Sequence, residues 1–158
     1  MAEYSIDTSS LIEGWHRLYP PDVFEGVWER LNELIDAGEL IATEEVLYDV
    51  EKKEDSLYQW LRQREKLFKE VGDEIQVAVA KILARFPRLL DTRRGRSGSD
   101  PFVIALAMVE KCTTVVTQES QTNNPDKPNI PDACIAFGIK PITLLDLIRA
   151  KGWKFAVK

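Results

Sequence analysis

Four acidic residues lie where strands of this chain are expected to end and helices to begin. They are Asp7, which follows the apolar run ending at Ile6, and Asp49, Asp100 and Glu119. Carboxylates that gather in one place repel each other, and the repulsion raises their pKa values unless a divalent cation neutralises them. The four residues therefore indicate a metal-dependent hydrolase that cleaves phosphodiester bonds.

A group of arginines just before Asp100 would suit the phosphates of such a substrate, because a guanidinium donates two parallel hydrogen bonds. We expect Arg93, Arg94 and Arg96 to make these contacts, and the alternative is a solvated loop. The net charge of −5 argues against a general nucleic-acid-binding surface, although it does not exclude a local basic patch. The whole group consists of Arg85, Arg88, Arg93, Arg94 and Arg96.

The composition is that of an ordinary globular chain, with 158 residues, 44% hydrophobic and 30% charged. This length predicts a single domain over residues 1–158. No apolar run approaches the ~20 residues that span a bilayer, and the N-terminus leads directly into a strand, so we expect neither a membrane segment nor a signal peptide. Cys112 and Cys134 have no metal-ligand spacing, which predicts reduced thiols in a cytoplasmic protein.

Strands and helices alternate along the chain. Strands are predicted over residues 3–7, 40–42 and 113–117, with a short extended piece at 89–90 and an edge strand over 153–157. Helices are predicted after a cap at Thr8 or Ser9, from Asp22 to Gly38, after Thr43, over 56–70 and 73–86, from Asp100, from Ile130, and from Thr143 to Gly152. The stretch 118–129 is predicted to be a polar, mobile loop.

This alternation predicts an α/β fold with a mainly parallel sheet and helices on both sides. Ligands of such sheets bind beyond the carboxyl ends of the strands. Asp7 and Glu119 are expected at those ends, and Asp100 opens a helix that leads into a central strand. The topology thus predicts three acids at one edge of the sheet.

The chain resembles the PIN-domain nucleases, a superfamily that includes the VapC-type toxins of bacterial toxin–antitoxin pairs. The resemblance spans nearly the whole chain. Two motifs are fairly specific in order and spacing, residues 6–12 (IDTSSLI) and 99–107 (SDPFVIALA). Weaker support comes from residues 46–50 and 115–119, and the segment 19–24 with Trp28 is similar to one mostly uncharacterised subfamily.

The resemblance implies a Rossmann-like α/β/α sandwich and Mg²⁺- or Mn²⁺-dependent cleavage of RNA by an endoribonuclease. By this match Asp7 is the central metal ligand, Asp100 the second, and Asp49 and Glu119 complete the set. In the family the third of these positions is more often glutamate and the fourth more often aspartate. Supporting hydroxyl hydrogen bonds are implied for Thr8 and Thr117. Such a mechanism needs no histidine, and the chain has one, His16.

Other roles remain open for several of these residues. Asp7 and Asp100 are also in positions to cap helices, which is compatible with binding a metal. Glu45 lies one helical turn before Asp49 and is the alternative to it. Asp132 is the alternative to Glu119.

The resemblance also implies partners, namely an RNA substrate and an antitoxin protein. A homodimer is a further expectation, because the helical segment 56–86 carries more apolar residues than a small sheet requires. The competing hypothesis is a PIN fold without turnover that acts as a binding module. The tryptophans are predicted to pack in the core rather than stack on bases; those considered are Trp15, Trp28 and Trp60.

Other phosphoryl-transfer folds fit the sequence less well. Phosphatases that form an aspartyl-phosphate need a second aspartate two residues after the first, where this chain has Ser9. Response-regulator receivers need a lysine after a late strand, and residues 116–119 contain none. A phosphate-binding glycine loop and a His-Glu-x-x-His motif are also absent from the sequence.

Overall fold

A parallel five-stranded sheet forms the centre of the computed structural model, which describes residues 2–52, 55–90 and 99–157. The strands lie in the order β3-β2-β1-β4-β5, and every neighbouring pair is parallel. In the described residues the strands are β1 Tyr4–Ile6, β2 Leu40–Thr43, β3 Phe68–Lys69, β4 Thr114–Val116 and β5 Lys140–Ile142. The central strands β1 and β4 are buried throughout, as strands covered on both faces must be.

Helices cover both faces of the sheet, which gives the predicted Rossmann-like α/β/α sandwich. The helices are α1 Thr8–Glu13, continued by a π-helical turn Gly14–Leu18, α2 Glu25–Asp36, α3 Glu44–Glu51, α4 Ser56–Arg62, α5 Asp73–Arg85, α6 Asp100–Val109, α7 Ile130–Ala136 and α8 Leu144–Ala150. Short 3₁₀ turns occupy Glu65–Leu67 and Pro87–Leu90. No helix in the described parts of the chain is long and apolar enough to cross a membrane.

Helix α6 is apolar on nearly all sides and is enclosed by the fold. Ile104 and Leu106 have no exposed surface, and the hydroxyl of Ser5 in β1 donates a 2.8 Å hydrogen bond to the carbonyl of Val103. A helix that connects parallel strands runs opposite to them, so α6 begins at the edge where the strands end. This packing places Asp100 at the carboxyl edge of the sheet.

The prediction of one helix over residues 56–70 is wrong after Arg62. The chain leaves the helix, passes through the 3₁₀ turn and forms β3, in which Phe68 pairs with Ala42 of β2. Leu67 is fully buried in this arrangement. Burial of this side chain and pairing with β2 therefore prevail over the helical spacing of the apolar residues.

Two predicted extended segments are also absent, and one strand was not predicted. Residues 89–90 belong to the 3₁₀ turn that starts at Pro87 and form no extended piece. Residues 153–157 contain no strand; the ring of Phe155 instead packs over Gly26, where an added Cβ would lie 3.2 Å from the ring. The sheet edge is formed by β5, which the sequence did not predict because it is only three residues long and contains Pro141.

The ends of several helices differ in detail from the predictions. Helix α2 begins at Glu25 rather than after Asp22, and Val23 is 68% exposed outside it. Gly38 follows this helix with φ of +77°, as expected for a residue that ends a helix in the left-handed region. Thr143 caps α8 as predicted, in a reciprocal pair of hydrogen bonds with Asp146.

Candidate functional site

Asp7 lies at the carboxyl end of the central strand β1 and is almost fully buried, with 1% of its surface exposed. Its backbone is extended, and its Oδ1 accepts a 2.8 Å hydrogen bond from the backbone N–H of Ser10. Asp7 is therefore the N-cap of α1, which was the alternative role considered for it, and the prediction of Thr8 or Ser9 as the cap is wrong. A buried carboxylate that caps the helix is held in one orientation by the start of that helix.

The second oxygen of Asp7 accepts hydrogen bonds from two hydroxyl groups. Oδ2 lies 2.6 Å from Oγ1 of Thr117 and 2.7 Å from Oγ of Ser9. Each hydroxyl in turn accepts a backbone N–H from the segment after β4: Ser9 from Gln118 and Thr117 from Glu119, both at 3.1 Å. We call this set the Asp7 network, and it joins the start of α1 to the exit of β4.

The environment of Asp7 disfavours its charged form. Burial raises its pKa from 3.8 to about 6, although the hydrogen bonds from Thr117, Ser9 and Ser10 lower it, and the negative charge of Glu119 adds a small further increase. All hydrogen bonds to the carboxylate come from neutral groups, and none of the ion pairs found in the described residues includes Asp7. A cation beside Asp7 would favour its ionised form.

A second set of hydroxyl contacts starts at the next residue. Oγ1 of Thr8 donates a 3.0 Å hydrogen bond to Oδ2 of Asp49, and it lies 3.1 Å from Oγ of Ser99. Ser99 is the N-cap residue of α6 and precedes Asp100, which is 4% exposed. Thr8 thus links helix α3, which carries Asp49, to the start of helix α6.

The remaining predicted residues lie around these two networks. Oε1 of Glu119 accepts a 3.0 Å hydrogen bond from the N–H of Ile130 at the start of α7. Glu45 lies one turn before Asp49, and burial, followed by the negative charge of Asp49, raises the pKa of Glu45. The structure thus joins Asp7 to the backbone N–H of Glu119 through Thr117, and Asp49 to Ser99 at the start of α6 through Thr8.

Asp132 has a different role from the one considered for it. Its carboxylate accepts the backbone N–H groups of Thr122, Asn123 and Asn129 at 2.8 to 3.1 Å, and also the hydroxyl of Thr122. Burial would raise its pKa, but these hydrogen bonds lower it overall. Asp132 thus organises the loop between β4 and α7, which contains no helix or strand from residue 118 to residue 128.

The oxygen atoms near Asp7 suit a hard divalent cation, although the described acidic side chains do not surround one common position. The groups near Asp7 are carboxylate and hydroxyl oxygens, which Mg²⁺ and Mn²⁺ prefer. Within residues 2–52, 55–90 and 99–157, no group of three or more Asp, Glu, His and Cys side chains is arranged to hold a metal ion. Mg²⁺ needs only one or two carboxylates, because water and substrate phosphate fill its other positions. The residues present therefore fit such an ion.

A small open pocket adjoins the Asp7 network. Its cavity volume is about 280 Å³, and its lining includes Thr117, Glu119, Gln121 and Pro131. The pocket therefore shares Thr117 and Glu119 with the Asp7 network and gives a small group access to them from solvent.

The predicted phosphate-binding residues Arg93, Arg94 and Arg96 lie outside the described residues. Arg85, from the same group, donates a hydrogen bond to the carbonyl of Ala136, and its guanidinium lies 5.7 Å from the ring centroid of Phe137. Arg85 therefore packs against α7. The hydroxyls of Ser9 and Ser99 were not predicted as site groups, although Ser9 lies two residues after Asp7 and Ser99 directly precedes Asp100.

The two cysteines are free thiols, as predicted, and both are buried. Burial is the main cause that raises the pKa of Cys112 to about 11, and it also raises the pKa of Cys134, to which the negative charges of Asp7 and Glu119 contribute. Both thiols therefore stay protonated at neutral pH.

The sequence matches one family model over residues 4–155, and this family is described as a domain of unknown function, DUF4411. The match covers nearly the whole chain, and the chain therefore belongs to this family. No curated protein matches the sequence significantly.

Proposed function

We propose that this member of the DUF4411 family is a PIN-type, Mg²⁺- or Mn²⁺-dependent endoribonuclease. The observation that supports the proposal most directly is the position of Asp7. This carboxylate is buried at the carboxyl end of the central strand, is oriented by three neutral donors and has no cationic partner. Burial of such a carboxylate without a cation lowers the stability of the fold, and a bound cation would offset this cost.

The proposed division of labour follows from the two hydroxyl networks. Asp7 and Glu119 would hold the ion on the β4 side, while Asp49 and Asp100 would do so on the side of α3 and α6. When bound, the ion supplies charge neutralisation for a phosphate group and a lower pKa for an attacking water. Thr117 keeps the carboxylate of Asp7 in a fixed orientation, so this carboxylate does not have to reorganise when an ion binds.

The proposal extends to partners that the resemblance implies. RNA is the proposed substrate, and an antitoxin is proposed to bind the chain if it acts as the toxin of a toxin–antitoxin pair. A homodimer is proposed through α5, where Val77 is 57% exposed. A monomeric mass by light scattering at micromolar concentration would contradict the dimer.

A binding module without turnover is the second candidate. One observation favours it: the described acids do not form a ready-made group of three metal ligands. In that case the buried acids would contribute only to the fold, and the protein would bind RNA or another protein without cleaving it. The two candidates predict different effects on RNA cleavage when one carboxylate is removed.

The test uses a random-sequence RNA library, because a selective ribonuclease would not cut a single chosen RNA. We expect the wild type to cleave a subset of the library with Mn²⁺, and we expect this cleavage to disappear with a chelator and in Asp7→Asn. Glu33→Gln on the exposed part of α2 is the matched control and should cleave like the wild type. Absence of cleavage in the wild type as well as in Asp7→Asn would favour the binding module, whereas equal cleavage by both would contradict the role of Asp7.

A further inference from the structure

Two neighbouring cavities form a groove along β5, the edge strand of the sheet. The inner cavity is the pocket of about 280 Å³ that adjoins the Asp7 network. The outer cavity has a volume of about 660 Å³ and extends toward the first residues of β1 and β4. Both cavities are lined by Pro141, Ile142 and Asp146, so they are continuous with each other. We call the two together the β5 groove.

The inner cavity offers hydrogen-bond acceptors. Its lining includes the carboxylates of Glu119 and Asp146, and none of the described residues that line it is Lys, Arg or His. Oδ2 of Asp146 accepts the backbone N–H of Thr143, whereas Oδ1 has no donor within the described residues. The hydrogen bond from the backbone of Thr143 is the main cause that lowers the pKa of Asp146, so this exposed carboxylate is ionised at neutral pH.

The outer cavity carries two cations. They are Lys140 of β5 and Arg149 of α8; both are exposed, and neither forms an ion pair with a described residue. Their positive charges contribute to the lowered pKa of Asp146, because they lie close to it. The other acid of this cavity is Glu3, whose carboxylate lies 4.0 Å from Nζ of Lys151. The groove therefore leads from acceptor groups to free cations.

The edge of the sheet at this groove is closed to a further β-strand. The N–H of Lys140 donates to the carbonyl of Thr113, and the carbonyl of Ile142 accepts the N–H of Thr117, so both residues of β5 face β4. The backbone of Pro141, between them, faces outward and has no N–H to donate. Pairing with an added strand is therefore disfavoured, and the groove suits a ligand of another kind.

We propose that the β5 groove binds the sugar–phosphate backbone of an RNA strand. In this arrangement a ribose occupies the inner cavity, and its 2′-hydroxyl donates a hydrogen bond to Oδ1 of Asp146. The ring of the sugar packs against Pro141 and Ile142. Lys140 and Arg149 contact the phosphate next to this ribose, as cations and guanidinium groups do in complexes with nucleic acids.

The proposal deepens the proposed function, because a contact with the 2′-hydroxyl distinguishes RNA from DNA. A divalent cation at the Asp7 network, the acceptors of the inner cavity and the cations of the outer cavity would follow each other as phosphate, ribose and phosphate do along a strand. The part of the cation in this series rests on the proposed function, whereas binding of the ribose and of the outer phosphate does not.

The other ligand groups suit the inner cavity less well. A nucleobase is usually held by stacking on an aromatic ring or a guanidinium plane, and the described residues that line this cavity include neither. A phosphate would meet two carboxylates there and would be repelled. A deoxyribose has no 2′-hydroxyl to donate to Asp146.

The test is a titration of the full-length protein with adenosine 3′-monophosphate and adenosine 5′-monophosphate, each compared with its 2′-deoxy counterpart. The readout is the ¹³C-labelled δ1 methyl signal of Ile142, which lines both cavities, with Ile135 as the reference because it is 52% exposed and lines neither. A chelator is present, so that no phosphate binds through a metal ion. We expect at least one ribonucleotide to shift Ile142 alone in a saturable way, and to bind roughly tenfold more tightly than its 2′-deoxy form.

A substitution at Asp146 tests the contact with the ribose. Asp146→Asn keeps an acceptor for the N–H of Thr143, but it replaces the charged acceptor by a neutral amide. We expect the preference for the ribonucleotide to fall to roughly twofold, because hydrogen bonds to neutral groups are weaker than those to charged groups. The matched control is Asp73→Asn, at an acid in the first turn of α5 that lines neither cavity, and it should keep the preference of the wild type.

Two further substitutions test the contact with the phosphate. Lys140→Gln and Arg149→Gln each remove one cation of the outer cavity, and we expect each to weaken the ribonucleotide and the 2′-deoxy form alike, by roughly fivefold. The preference for ribose should stay. The matched control is Lys66→Gln, at an exposed lysine that lines neither cavity, and it should bind like the wild type.

The outcomes separate this proposal from the nuclease proposal. The expected binding, in a protein that cleaves no RNA, would leave the groove assigned and contradict the nuclease. Equal affinity for the two sugars, or no saturable shift of Ile142, would overturn the groove even if the protein cleaves RNA. A ribose preference that is unchanged in Asp146→Asn would overturn the contact with this carboxylate. Unchanged affinity in both Lys140→Gln and Arg149→Gln would overturn the contact with the phosphate.

Discussion

The hydroxyl of Thr117 donates a 2.6 Å hydrogen bond to Oδ2 of Asp7, a residue 110 positions earlier in the chain. The pairing of the two central strands explains this contact. Ile6 of β1 lies beside Val116 of β4 in parallel register, so the residues that follow them meet at the same edge of the sheet. The orientation of the buried carboxylate is therefore fixed by the sheet itself.

Replacing this hydroxyl should weaken both the fold and any metal site. In Thr117→Val, Asp7 loses its shortest hydrogen bond and the N–H of Glu119 loses its acceptor. We expect the free energy of unfolding to fall by about 1–3 kcal/mol, as measured by chemical denaturation. Thr117→Ser keeps the hydroxyl and is the control. An unchanged free energy of unfolding in Thr117→Val would contradict the role of the hydrogen bond, because this variant keeps the methyl group and loses only the hydroxyl.

The stability of the metal-free protein should fall as the pH rises from about 4 to about 6. The folded state holds a proton on Asp7 in this range because its pKa is raised to about 6, whereas the unfolded state, near 3.8, has released it. The difference, at about 1.4 kcal/mol per pKa unit, corresponds to about 3 kcal/mol by neutral pH. Denaturation at several pH values in chelator measures it. Asp7→Asn should lose this part of the pH dependence; an unchanged profile would exclude Asp7 as its source.

Asp132 should matter for the loop and not for the metal. In Asp132→Asn one acceptor oxygen becomes a donor that faces the N–H groups of the loop. We expect faster proteolytic cleavage within residues 120–129, measured by limited proteolysis, because the loop loses its organising contacts. The Mn²⁺ response in thermal melting should remain that of the wild type. Loss of that response would return Asp132 to the set of candidate ligands.

The two acids of α3 should differ in their effect on metal binding. Asp49 accepts a hydrogen bond from the hydroxyl of Thr8, the residue after Asp7, whereas Glu45 lies one turn earlier in the helix. We expect Asp49→Asn to lower the Mn²⁺ affinity by a factor of about ten, in the range seen for supporting groups of metal sites. Glu45→Gln is the matched comparison and should bind as the wild type does, measured by calorimetry. The opposite ranking would identify Glu45 as the ligand.

The sequence predicted the parts of the fold that local patterns determine. Asp7 and Asp100 were expected at the carboxyl edge because each marks a boundary between an apolar run and a helix, and the structure places both there. The apolar residues of α6 are equally visible in the sequence, and they lie on nearly all sides of the helix. These features need no knowledge of distant contacts.

The features that the sequence did not predict depend on contacts between distant residues. The strand at Phe68–Lys69 has only two residues and exists because it pairs with β2. The role of Asp132 depends on a loop that folds back over ten positions. The contact between the rings of Trp15 and Trp60 likewise brings together residues of separate helical segments. No local pattern contains this information.

The most direct test of the central claim, that the acids around Asp7 form a divalent-cation site, is thermal melting with and without Mn²⁺ for the wild type and Asp7→Asn. A ligand that binds only the folded state raises the melting temperature. We predict a higher melting temperature of the wild type with Mn²⁺, and no such response in Asp7→Asn. Without metal the variant should melt as high as the wild type or higher, because a buried charge is gone. A wild type that does not respond to Mn²⁺ would contradict the metal site.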